Sequence, residues 1–129
     1  MKPMTKHELS ECQTVSDTLQ RIGDKWSVLV IVQLGEGPLR FSELQRRIGN
    51  ISQKMLTSTV RGLERDGYLT RSVTPSIPPR VDYELTDLGR DLLQPIRGIE
   101  AFARRNQARI AAARASYDRR SEATAGPAP

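Results

Sequence analysis

Cysteine and histidine occur once each among the 129 residues, as Cys12 and His7, and that scarcity removes whole classes of chemistry. One cysteine permits neither an intrachain disulfide nor a thiolate zinc cluster. One histidine leaves little for acid–base work or transition-metal binding. No Gly-rich phosphate loop follows a strand pattern, and no carboxylate pair falls in a recognisable site. An enzyme is therefore not expected, and no catalytic residue, metal or cofactor is assigned. Aromatics are only 5% and apolar residues 37%, a thin supply for a core, and such chains often complete it by dimerising. Long apolar runs are missing too. Nothing approaches the roughly 18 residues of a membrane span, and no signal-peptide pattern precedes the first polar residues. The expectation is one soluble, cytoplasmic domain with tails.

What is present is positive charge, and its placement is informative. The net charge is +5. Between Arg40 and Arg80 eight cations face three anions (Glu43, Glu64 and Asp66), so this segment accounts for the whole +5. A basic surface on a neutral remainder is the footprint of a polyanion binder. An anionic membrane surface would also suit it, but no apolar, lysine-rich amphipathic helix supports that partner.

Residues 1–11 read as a polar, frayed arm. Val15, Leu19 and Ile22 recur at helical spacing, and Gly23-Asp24 ends that helix. Lys25 to Leu34 is strongly apolar and predicts a central helix with Trp26 as a packing anchor. After the turn Gly35–Pro38, Leu39-Arg40 suits a short strand. Phe41, Leu44 and Ile48 then define a helix that Gly49-Asn50 closes.

The next stretch, Ile51 to Asp66, organises the rest. Ser52 is placed to cap a helix, and Ile51 before it suits a hydrophobic staple to Leu56. At about 100° per residue, Leu56, Thr59, Val60 and Leu63 share one side. Lys54, Thr57, Ser58, Arg61 and Arg65 share the other, with Glu64 toward its edge. Short hydroxyl side chains permit close approach to a groove, and cations meet phosphates and base edges. An ordinary amphipathic helix with a solvated basic face has the same pattern. Two helices joined by a Gly-containing turn form a helix-turn-helix, however, and the segment after Gly67 strengthens that reading.

Leu69 to Thr74 is rich in β-formers, and Val81, Tyr83 and Leu85 alternate with polar residues. With Pro75, Pro78 and Pro79 between them, these segments read as a hairpin with a stiff tip, flanked by Arg71 and Arg80. A hairpin directly after a helix-turn-helix is a wing, whose arginines suit phosphates or a narrow minor groove. Thr86 then caps a last helix with an apolar stripe of Leu88, Leu92, Ile96, Ile99 and Phe102, continued by Ile110. Pro95 should kink it or shift its start. Helical throughout, Thr86 to Ile110 would span roughly 36 Å, so part of the stripe is expected to pack on a second subunit and part against the first helix of the same chain. The fold class is thus mainly α with a small β-hairpin. The domain is placed at residues 12–118, and 119–129 is expected to be a disordered tail.

In this order, Cys12, Ile22-Gly23-Asp24-Lys25-Trp26, Gly37 to Leu44, Ile51 to Thr57, Leu63 to Gly67, Pro78 to Tyr83 and Leu85 to Gly89 resemble the HxlR-type branch of the MarR-like winged-helix transcription regulators. The resemblance implies a homodimer, joined through its first and last helices, that binds an operator. Val15, Leu19, Leu92, Ile96, Ile99 and Phe102 are the residues expected at that dimer contact. It also implies that the cysteine near the N-terminus senses electrophiles or oxidants in some members. Gln13 stands where a proline is common in the family.

The expected mechanism places two recognition helices in successive major grooves, about 34 Å apart, on a pseudo-palindrome in double-stranded DNA. Gln53 would read an adenine and Arg61 a guanine. Lys54, Ser58 and Arg65 would meet phosphates or the groove edge, with Ser52 and Thr57 beside them. Arg40, Ser42 and Arg46 would fix register, and Arg71 and Arg80 would serve the wing. Cys12 reads equally as a thiol sensor near a helix start, where thiolates are favoured, and as a small apolar residue at the dimer contact. Two further readings compete with operator binding through a redox signal. One is a winged helix serving as a protein–protein module, which the concentrated charge disfavours. The other is a regulator with a small electrophile or metabolite effector in the dimer crevice.

Overall fold

The computed structural model describes residue 3 and residues 5–125. In chain order the elements are α1 (Lys6–Gly23), α2 (Lys25–Leu34), β1 (Leu39–Arg40), α3 (Phe41–Ile48), α4 (Gln53–Arg65), β2 (Leu69–Thr74), β3 (Arg80–Leu85), α5 (Asp87–Arg105) and α6 (Gln107–Ala125). They fall into two compact units, Met1–Ile96 and Arg97–Pro129.

The first unit is built on α2, the apolar helix. Asp24 caps it, accepting from the Trp26 N–H at 3.3 Å and from the buried Ser27 hydroxyl at 2.6 Å. Capping satisfies donors that a helix start otherwise leaves open. Val30, Ile31 and Leu34 are buried, and they join Leu44 of α3 with Leu56, Val60 and Leu63 of α4 in one core. The three-stranded antiparallel sheet, in the order β1-β3-β2, contributes Leu39, Leu69, Tyr83 and Leu85. Alternation on β3 buries Tyr83 and Leu85 while Arg80 and Glu84 stay exposed, as period two requires. The short strand expected at Leu39-Arg40 forms because β3 offers it Tyr83 and Asp82 as partners. Trp26 packs against this core, as expected of an anchor. It is half-buried at the core's edge, with the Lys25 ammonium 4.7 Å from its ring centroid.

Two glycine-dependent junctions set the angles that matter. Gly49 ends α3 at φ +92°, and a residue with a Cβ is strained there. The Gln45 amide holds the turn from below by donating to the Ile51 carbonyl at 3.3 Å. At the other end of the sheet, Thr86 donates its hydroxyl to the Gly67 carbonyl at 2.6 Å and accepts from the Gly89 N–H at 3.1 Å. Thr86 therefore starts α5, as the sequence predicts.

Several expectations need correction. The polar arm is not frayed over residues 6–11: α1 begins at Lys6 because Thr5 and Glu8 form a reciprocal capping box. Of the disordered tail expected at 119–129, residues 119–125 belong to α6, and residues 126–129 lie outside the described residues. Alanine-rich sequence sustains that helix without a packing face. The last helix continues through Pro95 and breaks at Asn106 instead, where the Asn106 amide donates to the Phe102 carbonyl at 2.9 Å. The stripe predicted on it is split. Leu92 and Ile96 are buried in the core of the first unit, together with Leu93 and Gly89. They cannot also offer a free face to a second subunit. Leu88, Ile99 and Phe102 remain exposed.

Candidate nucleic-acid interface

The site is built from α4 outward. Ser52 caps this helix as predicted, accepting the Met55 N–H at 3.0 Å. Leu56, Thr59, Val60 and Leu63 are its buried face, with Thr59 bonded back to the Met55 carbonyl at 2.8 Å. Burial of that face fixes the rotation of the helix. The opposite face therefore gathers Gln53, Lys54, Thr57, Ser58 and Arg61 along one shallow open surface. Among the described residues, no hydrogen bond or ion pair engages any of these five side chains. They are two cations, two hydroxyls and an amide, all available to an outside partner.

Beside that face lies a groove of about 260 Å³ between α4 and the hairpin. Arg71 of β2 enters it together with Gln53, Thr57 and Arg61. Phe41 and Tyr83 form its floor, with ring centroids 6.4 Å apart. Antiparallel pairing sets Arg71 opposite Tyr83, and this register carries the arginine from the wing to the helix. Glu64 also lines the groove. Its place three residues after Arg61 was the available signal for that, since i and i+3 are neighbours on a helix.

Other predicted residues stand elsewhere. Arg65 is at the far end of α4, in a polar cleft with Asp17, Gln20, Arg21, Asp24 and Asp66, so its surroundings are largely acidic. Arg80 is ion-paired with Asp82 at 3.0 Å. Sequence reasoning missed this partner, although alternation places residues i and i+2 on one side of a strand. Arg40 and Ser42 are exposed at the start of α3, where the Arg40 N–H donates to Glu43 at 3.3 Å. Arg46 is exposed on the same helix, and its neighbour Arg47 pairs with Glu36 at 3.3 Å.

Cys12 is exposed in the body of α1, not near its start. Six residues precede it in the helix, so the free N–H groups of the first turn are out of reach. His7 turns to Glu11 at 2.9 Å. Cys12 instead shares a shallow groove with Val15, Ser16 and Leu19. No residue of α1 is buried, and Val15 and Leu19 are 57% and 61% exposed. Among the described residues no helix is long and apolar enough to cross a membrane, and no group of three or more potential ligands could hold a metal ion.

Comparison with known proteins agrees with this architecture. The family model for the HxlR-like helix-turn-helix matches residues 21–111. An uncharacterised HTH-type transcriptional regulator of Escherichia coli, YtfH, is 38% identical over 98 residues, covering 76% of this chain and 78% of its own. The solved structure of the ytfH regulator from Salmonella typhimurium superposes with a TM-score of 0.70 at 35% identity, covering 78% of this chain and 89% of that one. The redox regulator HypR in its reduced form gives a TM-score of 0.72 at 34% identity, over 77% of this chain and 98% of that one. These relatives are regulators rather than enzymes. The fold, with its helix-turn-helix and winged three-stranded sheet, is theirs as well, and the chain belongs to the HxlR-like helix-turn-helix family of transcriptional regulators.

Proposed function

We propose that the chain acts as a homodimer that binds a pseudo-palindromic operator in double-stranded DNA, with one α4 in each of two successive major grooves. The observation that carries this reading is the unengaged polar face of α4. Intramolecular packing uses every apolar residue on one side of that helix except Met55 and leaves the other side unspent. Gln53 and Arg61 read base edges, as their paired donors suit adenine and guanine. Lys54, Thr57 and Ser58 hold the groove edge, and Arg71 supports Arg61 from the wing. Ser42 and Arg46 set register on the phosphates, while Arg80 extends the footprint. Arg40 and Ser52 contribute through α3 and the helix cap, and Arg65 plays a lesser part. Val15 and Leu19 on α1, with Ile99 and Phe102 on α5, form the dimer contact.

Fluorescence anisotropy tests this directly, using the duplex upstream of the protein's own gene and a scrambled duplex of equal length at several salt concentrations. Tighter binding to the native duplex near physiological salt is expected. Equal binding to both that vanishes with salt refutes operator recognition.

A redox signal through Cys12 is supported by its placement and by HypR, a relative described as a redox regulator. Cys12, Val15 and Leu19 lie on one face of α1, so modifying the thiol alters the dimer contact itself. With one cysteine per chain, a disulfide must join two protomers or capture a small thiol. Oxidant-sensitive DNA binding that persists in Cys12→Ser refutes this signal.

A further inference from the structure

The chain's charge is divided in a way the net value hides. The unit from Arg97 onward carries seven arginines against Glu100, Asp118 and Glu122, a net charge of +4. Residues 1–39 and 81–96 together carry −4, so the sequence holds a second basic block in addition to the one containing α4. Four of its arginines, Arg109, Arg114, Arg119 and Arg120, are on α6. The family match stops at residue 111, so most of α6 lies beyond it.

Three observations characterise this helix. First, every residue of α6 whose exposure is described is exposed except Ile110 and Ser116, which are intermediate. Second, among the described residues no carboxylate lies within 4.0 Å of the four guanidinium groups, although Asp118 and Glu122 share the helix. Among the described residues, the side-chain hydrogen bonds of these arginines are those from Arg109 to the Asn106 amide oxygen and from Arg120 to the Ser116 hydroxyl, both at 3.1 Å. Third, alanine occupies seven of the 19 positions, so helix propensity rather than a buried face holds the element. Steps of five residues, about 140° each on a helix, carry Arg109, Arg114 and Arg119 around the axis. The result is a self-supporting rod, positive on all sides, with only Ile110 and Tyr117 as large apolar residues. Helices that pair with helices present an apolar stripe; this one presents unpaired charge.

We propose that α6 is a second DNA-binding surface that grips phosphates without reading sequence, adding affinity to the operator contact made by α4. The proposal rests on the reading of the chain as a DNA-binding regulator. Arginine suits the role because its guanidinium stays charged and matches phosphate geometry.

The test compares the full-length chain with R109Q/R114Q/R119Q/R120Q and with the matching four-lysine variant, on both the native and the scrambled duplex. Glutamine keeps helix propensity, and far-UV circular dichroism checks the helix. Log K against log salt is expected to become shallower by about 0.9 for each phosphate that α6 no longer neutralises. The weakening should be equal on both duplexes, so their affinity ratio is retained, and lysine should restore most of the slope. An unchanged slope with the helix intact overturns the proposal. So does an unchanged slope with a fall in sedimentation mass, which would make α6 a contact between copies of the chain. Absence of sequence preference in the wild type refutes the operator reading alone, and the slope on scrambled duplex still decides the role of α6.

Discussion

Arg21 near the end of α1 donates from both Nε and Nη2 to a single carboxylate oxygen of Asp66, at 3.0 and 2.7 Å, directly beyond the last turn of α4. The same guanidinium lies over Gly62, where an added Cβ would come within 3.1 Å of it. The pair therefore tethers the helix bearing Cys12 to α4. Both side chains are partly shielded, at 24% and 33% exposure, so the bond is worth more than an open surface pair. Arg21→Ala is expected to cost about 1 kcal/mol in urea unfolding. Gly62→Ala should then show coupling. Alone it gains roughly 1 kcal/mol of helix propensity but displaces the guanidinium, whereas in the Arg21→Ala background only the gain remains. Strict additivity in that cycle would show that the guanidinium does not depend on Gly62.

Gly89 is fixed by a different constraint. A Cβ there would collide with the Tyr68 carbonyl and stand 3.1 Å from the Leu85 side chain. That carbonyl accepts from the Thr86 N–H at 3.0 Å, so it cannot withdraw without opening the corner between the wing and α5. Gly89→Ala is expected to destabilise by about 1–3 kcal/mol, despite alanine's better helix propensity, and thermal melts would show it. An unchanged or raised Tm would mean that the corner yields.

Most helices and the wing were legible because they are announced by a cap, a period or a break, whereas the capping box that starts α1 and the alanine-rich length of α6 were not read from the sequence. Ser52 and Thr86 mark two helix starts, Gly23-Asp24 marks a break, and the alternation at Val81, Tyr83 and Leu85 marks the central strand. The face of α4 was legible for the same reason, since three apolar residues and Thr59 at helical spacing leave only one other side. What periodicity cannot show is which of two apolar surfaces a stripe will meet. Leu92 and Ile96 read like Ile99 and Phe102 in sequence, yet two are core and two are surface. The acidic surroundings of Arg65 likewise depend on packing that composition does not encode, whereas the pairing of Arg80 with Asp82 was within reach of strand alternation.

Arg61 and Arg80 differ in how free they are to meet DNA. Arg61 lies on the open face of α4 and in its groove, with no carboxylate paired to it among the described residues. Arg61→Ala should cost about 1–3 kcal/mol on the native duplex and narrow the preference over scrambled DNA. Arg80→Ala should weaken both duplexes alike. Because Asp82 holds Arg80, Asp82→Asn is expected to tighten both by freeing the guanidinium. Competition anisotropy separates these outcomes, and an Arg61→Ala protein with unaltered preference would remove α4 as the reading head.

The proposed dimer contact yields the sharpest division between folding and assembly. Leu19 is 61% exposed and Leu92 only 7% exposed, although both were expected at the same contact. Leu92→Ala should open a cavity in the core of the first unit and cost about 2–5 kcal/mol, seen as a lower Tm. Leu19→Glu removes no buried contact within the chain, so the fold of each protomer should change by no more than about 0.5 kcal/mol. It places a charge in an apolar contact, however, and sedimentation should show a shift toward monomer. Operator affinity should fall with it, because one recognition helix cannot span two half-sites. A Leu19→Glu protein that remains dimeric would place the contact away from this face of α1, and Ile99→Glu and Phe102→Glu would then report whether α5 alone supplies it.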